Sequence, residues 1–377
     1  MLSTGLETMI VNVKLALLGE DLNVRRRISI EFEDGIIESI VDGFRSGGLT
    51  FKNGVALPAL VNAHIHVLDF AFQEVGLNLR LSKLVSEPHG LKHKLIAKLN
   101  PYTVLRASLS LFNRLVKQGV YTAIVFCERF EVIDYMKQAS RRANLNAVIL
   151  TRPKKTNSTL LIDEALRNSN GLGLDSPLRY DVNELVEMRD KCAKKGLLKA
   201  VHVSETPETH EKGDFKLALN FLESDLMVHG VYLEEDEIRE LSSRGVSLAI
   251  CPRSNMWFSS GLPPLSELFK HNVNMVLGTD NAGWVNPDIW RELETLFNVA
   301  RLQGLRLDPR ELLKIATVNV NKVRNLKVPS NILEEGSPAN FIVLSGEELG
   351  LRFSRNVYAS IVKRGSAEAV IFRSFSS

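Results

Sequence analysis

Residues 57–67 read LPALVNAHIHV, an unbroken apolar run that ends in two histidines separated by one residue. A short apolar run of this kind fits a strand buried on both faces, and residues two apart on a strand share a face, so His64 and His66 project to the same side. Further runs follow: VYTAIVF (120–126), NAVILT (146–151), GLGL (171–174), KAVHVS (199–204), LMVHG (226–230), VSLAIC (246–251) and NMVLGTD (274–280). With the first they make eight strands separated by helical stretches, the alternation that predicts parallel strands joined by crossover helices. An α/β chain with eight such units closes into a TIM-type (β/α)8 barrel, whose usual span of about 250 residues matches residues 58–325. The competing architecture, an open doubly wound sheet, would carry a glycine-rich phosphate loop after its first strand. Asn62-Ala63-His64 stands there instead.

Outward from the barrel the patterning changes. Residues 9–17 (MIVNVKLAL) and 28–40 (ISIEFEDGIIESI) alternate apolar and polar residues around an Asp-Gly turn, the signature of a β-hairpin. Residues 331–345 (NILEEGSPANFIVLS) and 357–373 (VYASIVKRGSAEAVIFR) return to strand patterning with glycine turns. The expectation is a small β-sandwich domain built from both chain ends, residues 1–57 and 326–377, covering edges that neither end could cover alone.

At 377 residues with 45% hydrophobic and 24% charged residues, the chain reads as a globular protein able to bury a large core. A net charge of +3 with interspersed signs argues against a dedicated nucleic-acid surface; the tightest cluster, Arg25-Arg26-Arg27, reads as a solvated strand edge. Cys127, Cys192 and Cys251 offer neither a disulfide framework nor a paired zinc motif, which fits a reducing cytoplasm. Glu7, Lys14, Glu20 and Asp21 interrupt any signal-peptide core, and no apolar run is long enough to span a membrane. The expected partner is a small-molecule substrate, with no nucleic acid and no membrane; a homo-oligomer stays open.

The strand ends carry the chemistry. A pair of histidines two apart is weak evidence alone, because a lone strand histidine is commonly a hydrogen-bonded core residue. However, His202 ends the fifth strand, His229 the sixth and Asp280 the eighth. Buried ionisable groups are costly unless paired or metal-bound, so five such side chains at the carboxyl ends of one barrel's strands point to one pocket.

These residues carry a resemblance. The segments ALPALVNAHIHV (56–67), AVHVSET (200–206), MVHG (227–230), CPRSN (251–255) and LGTDNAG (277–283) resemble the amidohydrolase superfamily, in its cytosine deaminase, chlorohydrolase and S-adenosylhomocysteine deaminase branch. EEGSPANFIVL (334–344) is similar to the segment where that family's chain rejoins its β-sandwich. The resemblance implies that His64, His66, His202 and Asp280 hold a divalent metal, with Glu205 as proton shuttle and His229 as a second polarising group. Chemistry agrees: three imidazoles and a carboxylate leave room for water, whose pKa a divalent metal lowers to near neutrality, and Asp280 could also accept its proton. Two departures stand out, Pro58-Ala59 where the family has Pro-Gly and Ala339-Asn340-Phe341 where it has Ala-Asp-Leu. Neither position touches the metal.

Binuclear members of the superfamily bridge two metals with a residue on the fourth strand, where GLGLDS (171–176) offers only Asp175. One ion is therefore expected, zinc first, with iron or manganese as alternatives. The longest strand-to-helix loop, about residues 68–101, contains Glu74, Arg80, Lys92 and His93 and reads equally as a lid over a polar ligand or as solvated surface. Glu128 and Arg152, at the ends of the second and third strands, with Asn255 and Trp284, are candidate substrate contacts. The functional expectation is hydrolytic deamination of an amino-substituted heterocycle of purine, pyrimidine or pterin type. Hydrolysis of a cyclic amide is the alternative within enzymes, and a non-catalytic scaffold is the alternative outside them.

Overall fold

The structure, a computed structural model, describes residues 8–85, 89–156 and 159–376. Strands β1 (Met9–Leu18), β2 (Asn23–Glu33) and β3 (Ile36–Asp42) form an antiparallel meander. Its second turn is Asp34-Gly35, both at positive φ (48° and 75°), the combination a two-residue hairpin loop needs. Strand β4 (Leu49–Pro58) lies parallel to β1 and, after Ala59, continues as β5 (Leu60–His66) in a second sheet.

That second sheet is the barrel. It runs from β5 through β6 (Val120–Cys127) and β7 (Asn146–Thr151), past a short ribbon of β8 (Lys155–Thr156) and β9 (Thr159–Leu160). It continues through β10 (Gly171–Leu174), β11 (Leu198–Val203), β12 (Leu226–His229), β13 (Ser247–Ile250) and β14 (Met275–Leu277), all parallel. The expected eighth strand is split. Gly278-Thr279 separates β14, at one edge of the sheet, from β15 (Asp280–Asn281), which pairs with β5 at the other edge. The chain thus crosses the seam and closes the sheet: Gly278 N–H donates to the Ile250 carbonyl and Thr279 N–H to the His64 carbonyl, each at 3.0 Å. Every residue of β5, β6 and β10 to β14 is buried, as expected of parallel strands covered on both faces.

Both chain ends do pair, with a difference from the expected sandwich. Strand β16 (Phe341–Ser345) joins β4 and β17 (Val370–Ser374) joins β16, so the described residues of both ends form one six-stranded sheet, β17-β16-β4-β1-β2-β3, rather than two facing sheets. One face has its own core, including Val11, Val13, Ile28, Ile30, Phe32 and Phe341. The other face sends Leu15, Leu17, Val55, Leu57, Ile342 and Leu344 into the core shared with the barrel helices. Part of the missing strand content is residues 357–364, read from sequence as strand but folded as the helix Val357–Arg364. Val357, Tyr358, Ile361 and Val362 recur at helical spacing, and Asn356 caps the first turn by accepting from Ala359 N–H. Among the described residues no helix is long and apolar enough to cross a membrane.

The seam depends on a close backbone approach. A Cβ on Gly278 would lie 2.7 Å from His64 Cβ and 2.9 Å from its backbone nitrogen and oxygen. Gly278→Ala is therefore expected to destabilise the protein by about 1–3 kcal/mol, the usual scale of overpacking, read as a lowered denaturation midpoint. A midpoint equal to wild type would show that the eighth strand does not press on the first.

Candidate metal centre

Alternation along β5 sends His64 and His66 to one side, and parallel pairing brings β11, β12 and β15 to the same barrel end. The Nε2 atom of His202 lies 3.2 Å from Nε2 of His64 and 3.3 Å from Nε2 of His66. Asp280 Oδ1 completes the cluster at 3.2 Å from His64 Nε2 and 3.5 Å from His66 Nε2. Phe126 forms an apolar floor, edge-on to His64 with ring centres 4.4 Å apart.

Tautomers give this geometry its meaning. His66 Nδ1 is 2.7 Å from Glu128 Oε1 and His202 Nδ1 is 2.9 Å from the Leu174 carbonyl; neither oxygen can donate from an ionised or carbonyl state, so both Nδ1 atoms carry the proton. Both Nε2 atoms then present lone pairs, facing each other with no proton between. Burial keeps the rings neutral, pushing His64 down to about 3, lowering His66 and holding His202 well below the ordinary range. Neutral imidazole is the metal-binding form, so the donor set of three ring nitrogens and a carboxylate suits a divalent cation. Burial alone would raise Asp280, but its hydrogen bond with His64 and the nearby imidazoles hold its carboxyl well below the usual range. Ser254 Oγ (2.5 Å) and Asn281 Nδ2 (2.9 Å) both donate to Asp280 Oδ2, leaving Oδ1 for the centre.

His229 also lies here, and its ligand atom groups with those of His64, His202 and Asp280 within 4.8 Å. Its hydrogen bonding is the reverse of its neighbours'. Asn255 Nδ2 approaches Nδ1 at 3.3 Å, and an amide nitrogen can only donate, so Nδ1 accepts and Nε2 carries the proton. That N–H faces Glu205 Oε2 at 3.8 Å and Asp280 Oδ2 at 4.0 Å. Burial raises the Glu205 carboxyl against the pull of His229.

Backbone strain collects at these strand ends. Ser204, His229 and Asp280 have φ of 49°, 74° and 60°, a left-handed region that non-glycine residues rarely occupy. At Ser204 the strain is held by Asp214, which accepts from its N–H at 2.7 Å and its Oγ at 3.2 Å and so aims the turn carrying Glu205.

A cavity of about 310 Å³ opens over the cluster, its wall including His66, Lys92, His202, Glu205, His229 and Asp280. A larger chamber of about 950 Å³ adjoins it and shares Leu81, Ser82, Thr206 and Glu208; Tyr232, Trp257 and Phe258 line its far side.

None of the four candidate substrate contacts lines the inner cavity. Glu128 faces His66 and Lys92, Asn255 holds His229, and Arg152 pairs with Asp175. Trp284 packs beside Phe72 and Phe258 and donates its indole N–H to the Val75 carbonyl at 2.8 Å. A strand-end position predicts depth but not which neighbour a side chain meets. Conversely, Ser254 and Asn281 sit inside the quoted CPRSN and LGTDNAG segments beside residues already singled out, whereas Asp69 and Asp214 had no local signal. Lys92 lies 2.9 Å from Glu128 and 3.2 Å from Asp69, buried rather than solvated. Burial would raise Glu128, but the Lys92 ammonium and the His66 ring hold it well below the usual range; Asp69 is pushed up to about 8 by burial against the pull of Lys92.

The family model for the amidohydrolase family matches residues 55–372. An uncharacterised protein of Methanocaldococcus jannaschii is 28% identical over 374 residues, covering 92% of this chain and 93% of that one. The 5-methylthioadenosine/S-adenosylhomocysteine deaminase of Thermococcus onnurineus is 28% identical over 343 residues, covering 82% and 78% respectively. An adenosine deaminase from Xanthomonas campestris, solved with bound zinc, is similar in fold at a TM-score of 0.81 and 17% identity, over 96% of this chain and 90% of that one.

The helix Pro252–Trp257, which carries Ser254 and Asn255, is pinned by Glu292, a wholly buried carboxyl that accepts from Arg253 N–H at 3.1 Å. Burial pushes Glu292 up to about 8 against the pull of Arg253, whereas an unfolded glutamate titrates near about 4.3. Between those values the native state binds more protons, so this contribution to stability is full below the unfolded pKa and is lost as pH rises through about 8. Glu292→Gln is expected to flatten the fall in thermal midpoint between about pH 5 and 8. An unaltered slope would show that Glu292 is ionised in the native state.

Proposed function

The chain belongs to the amidohydrolase family, and from that premise we propose that it is a mononuclear metal-dependent hydrolase that deaminates an amino-substituted heterocycle. The observation that carries the reading is the pair of opposed Nε2 lone pairs of His66 and His202 at 3.3 Å, beside His64 and Asp280, an arrangement that a cation relieves. His64, His66, His202 and Asp280 would hold the ion. Nitrogen-rich ligation with one carboxylate suits zinc before the harder, oxygen-preferring metals, although iron and manganese accept the same donors. A single ion is favoured because β10 ends in Leu174, whose carbonyl is taken by His202, and Asp175 beyond it is paired with Arg152.

When bound, a divalent ion supplies Lewis acidity, lowering the pKa of water and polarising the electrophile. The chain's own groups supply the proton traffic. Asp280 is fixed by Ser254 and Asn281 where it can take a proton from water. Glu205, at the cavity with its carboxyl raised by burial, would deliver a proton to a ring nitrogen, and the proton that Asp280 takes from water would pass to the leaving amine. His229 directs Nε2–H into the same space and would orient the tetrahedral oxygen.

The relative from Thermococcus onnurineus is named for two adenosine derivatives, and the fold neighbour is an adenosine deaminase. The inner cavity has room for one heterocycle, and the adjoining chamber has room for a substituent beyond it. These features favour a substituted adenine over a free base.

Ammonia release is to be measured with zinc-reconstituted protein on adenine, adenosine, 5′-methylthioadenosine, guanine, cytosine and a pterin. Release from the adenine nucleosides is expected; hydrolysis without ammonia would replace deamination with ring opening, and no turnover of any compound would favour a scaffold. Metal analysis is expected to show about one ion per chain in wild type and in His229→Asn, and far less in His202→Ala. Glu205→Gln is expected to keep the metal and lose about 10²–10⁴-fold in turnover, the range typical of general acid–base catalysis. Loss of metal in that variant would overturn the division of roles.

A further inference from the structure

Lys92 lies on the short helix Leu91–Ile96 of the long loop after β5, only 3% exposed, in the wall of the inner cavity. A buried ammonium is costly unless its donors are met. Three oxygens surround its Nζ: Glu128 Oε1 at 2.9 Å, Asp69 Oδ2 at 3.2 Å and Asn281 Oδ1 at 3.3 Å. The Asn281 contact is a hydrogen bond and the two carboxylate contacts are ion pairs, so the ammonium is met by groups of the fold itself.

Two of those acceptors lead onward. The Glu128 Oε1 atom that faces Lys92 also accepts from His66 Nδ1 at 2.7 Å. Asn281, whose Oδ1 accepts from Lys92, donates its Nδ2 to Asp280 Oδ2 at 2.9 Å. From one nitrogen atom, contacts run to β5 through His66 and to β15 through Asp280, the two strands paired where the barrel closes.

We propose that Lys92 is a positioning residue for the metal centre: its ammonium fixes Glu128 and Asn281, and through them the tautomer of His66 and the rotation of the Asp280 carboxylate. The inference rests on the ligand assignment proposed above. Without the ammonium, Glu128 faces the buried space as an unneutralised carboxylate beside Asp69. Glu128 must then turn away or take up a proton, and either change weakens its hold on His66. Asn281 likewise loses the donor that sets its amide, and Asp280 Oδ2 loses a fixed partner. Because Lys92 comes from the long loop, the order of that loop and the geometry of the metal ligands become one property.

The test compares metal-free wild type, Lys92→Met and Lys92→Gln, titrated with zinc in competition with a chromophoric chelator, together with visible spectra of their cobalt(II) forms. Both variants are expected to fold by circular dichroism, to bind zinc about 10–100-fold more weakly, as loss of an outer hydrogen-bond partner commonly causes, and to show altered cobalt bands. Glu128→Gln is expected to weaken binding similarly, and Lys92→Met combined with Glu128→Gln to be no weaker than the weaker single variant, because the two act along one path. Folded variants that bind zinc within about threefold of wild type, with unaltered cobalt bands, would overturn the inference. So would failure of both variants to fold, which would make Lys92 a structural ion-pair partner. A wild type that binds no divalent ion would overturn the ligand assignment and this inference together, and is told apart by the wild-type titration alone.

Discussion

The lone pairs of His66 and His202 oppose each other across 3.3 Å with no proton between them, and much of the structure is occupied with holding that unfavourable arrangement in place. Left to itself, a pair of imidazoles this close would share a proton or turn apart. Here neither happens, because each ring is locked from behind by an acceptor at Nδ1, one a carboxylate and one a strand-end carbonyl. Burial removes the remaining escape, protonation, by making the charged ring too costly. What is left is a donor set suited to positive charge, with Asp280 as its anionic side.

That donor set depends on barrel closure. His64 and His66 come from the first barrel strand and Asp280 from the eighth, and they meet only because the chain crosses the seam at Gly278-Thr279. The strand ends then leave regular β geometry at Ser204, His229 and Asp280, where left-handed backbone lets His229, Asp280 and, just after Ser204, Glu205 reach the cavity. Such conformations persist only when neighbours over-determine them. Asp214 does this for Ser204, and the Glu292-anchored helix does it for Asp280 and His229 through Ser254 and Asn255.

Legibility in the sequence follows the range of the physics involved. The HxH pair was readable because alternation along one strand is local, and the barrel was readable because eight apolar runs repeat one pattern. The terminal segment 357–364 misled because Val, Ile and Tyr suit strands, although their spacing was helical. Lys92, Asp69 and Asp214 were opaque for a different reason. Their partners lie on other elements, and a lysine in a polar loop has the same local signature whether it ends in solvent or beside a buried histidine cluster. Glu128 shows the limit in reverse: its depth was legible, but its direction, toward His66 rather than a substrate, was set by a lysine 36 residues earlier in the chain.

One asymmetry gives the cavity its chemical sense. His66 and His202 present lone pairs because acceptors lie behind them; His229, at the end of the strand next to that of His202, presents a proton because a donor lies behind it. Histidine alone therefore does not decide what a position can do; the atom hydrogen-bonded to its far nitrogen does. The same rule separates the carboxyls. The hydrogen bond with His64 and the nearby imidazoles hold the Asp280 carboxyl well below its usual range, whereas burial raises that of Glu205, which follows the fifth strand and faces the cavity. Two acids and several imidazoles thus divide into a side that attracts a cation and a side that can give protons, and a proton donor is what a basic leaving group requires in order to depart. On the proposed reading that difference, more than the shape of the pocket, is what favours an amine as the group that departs.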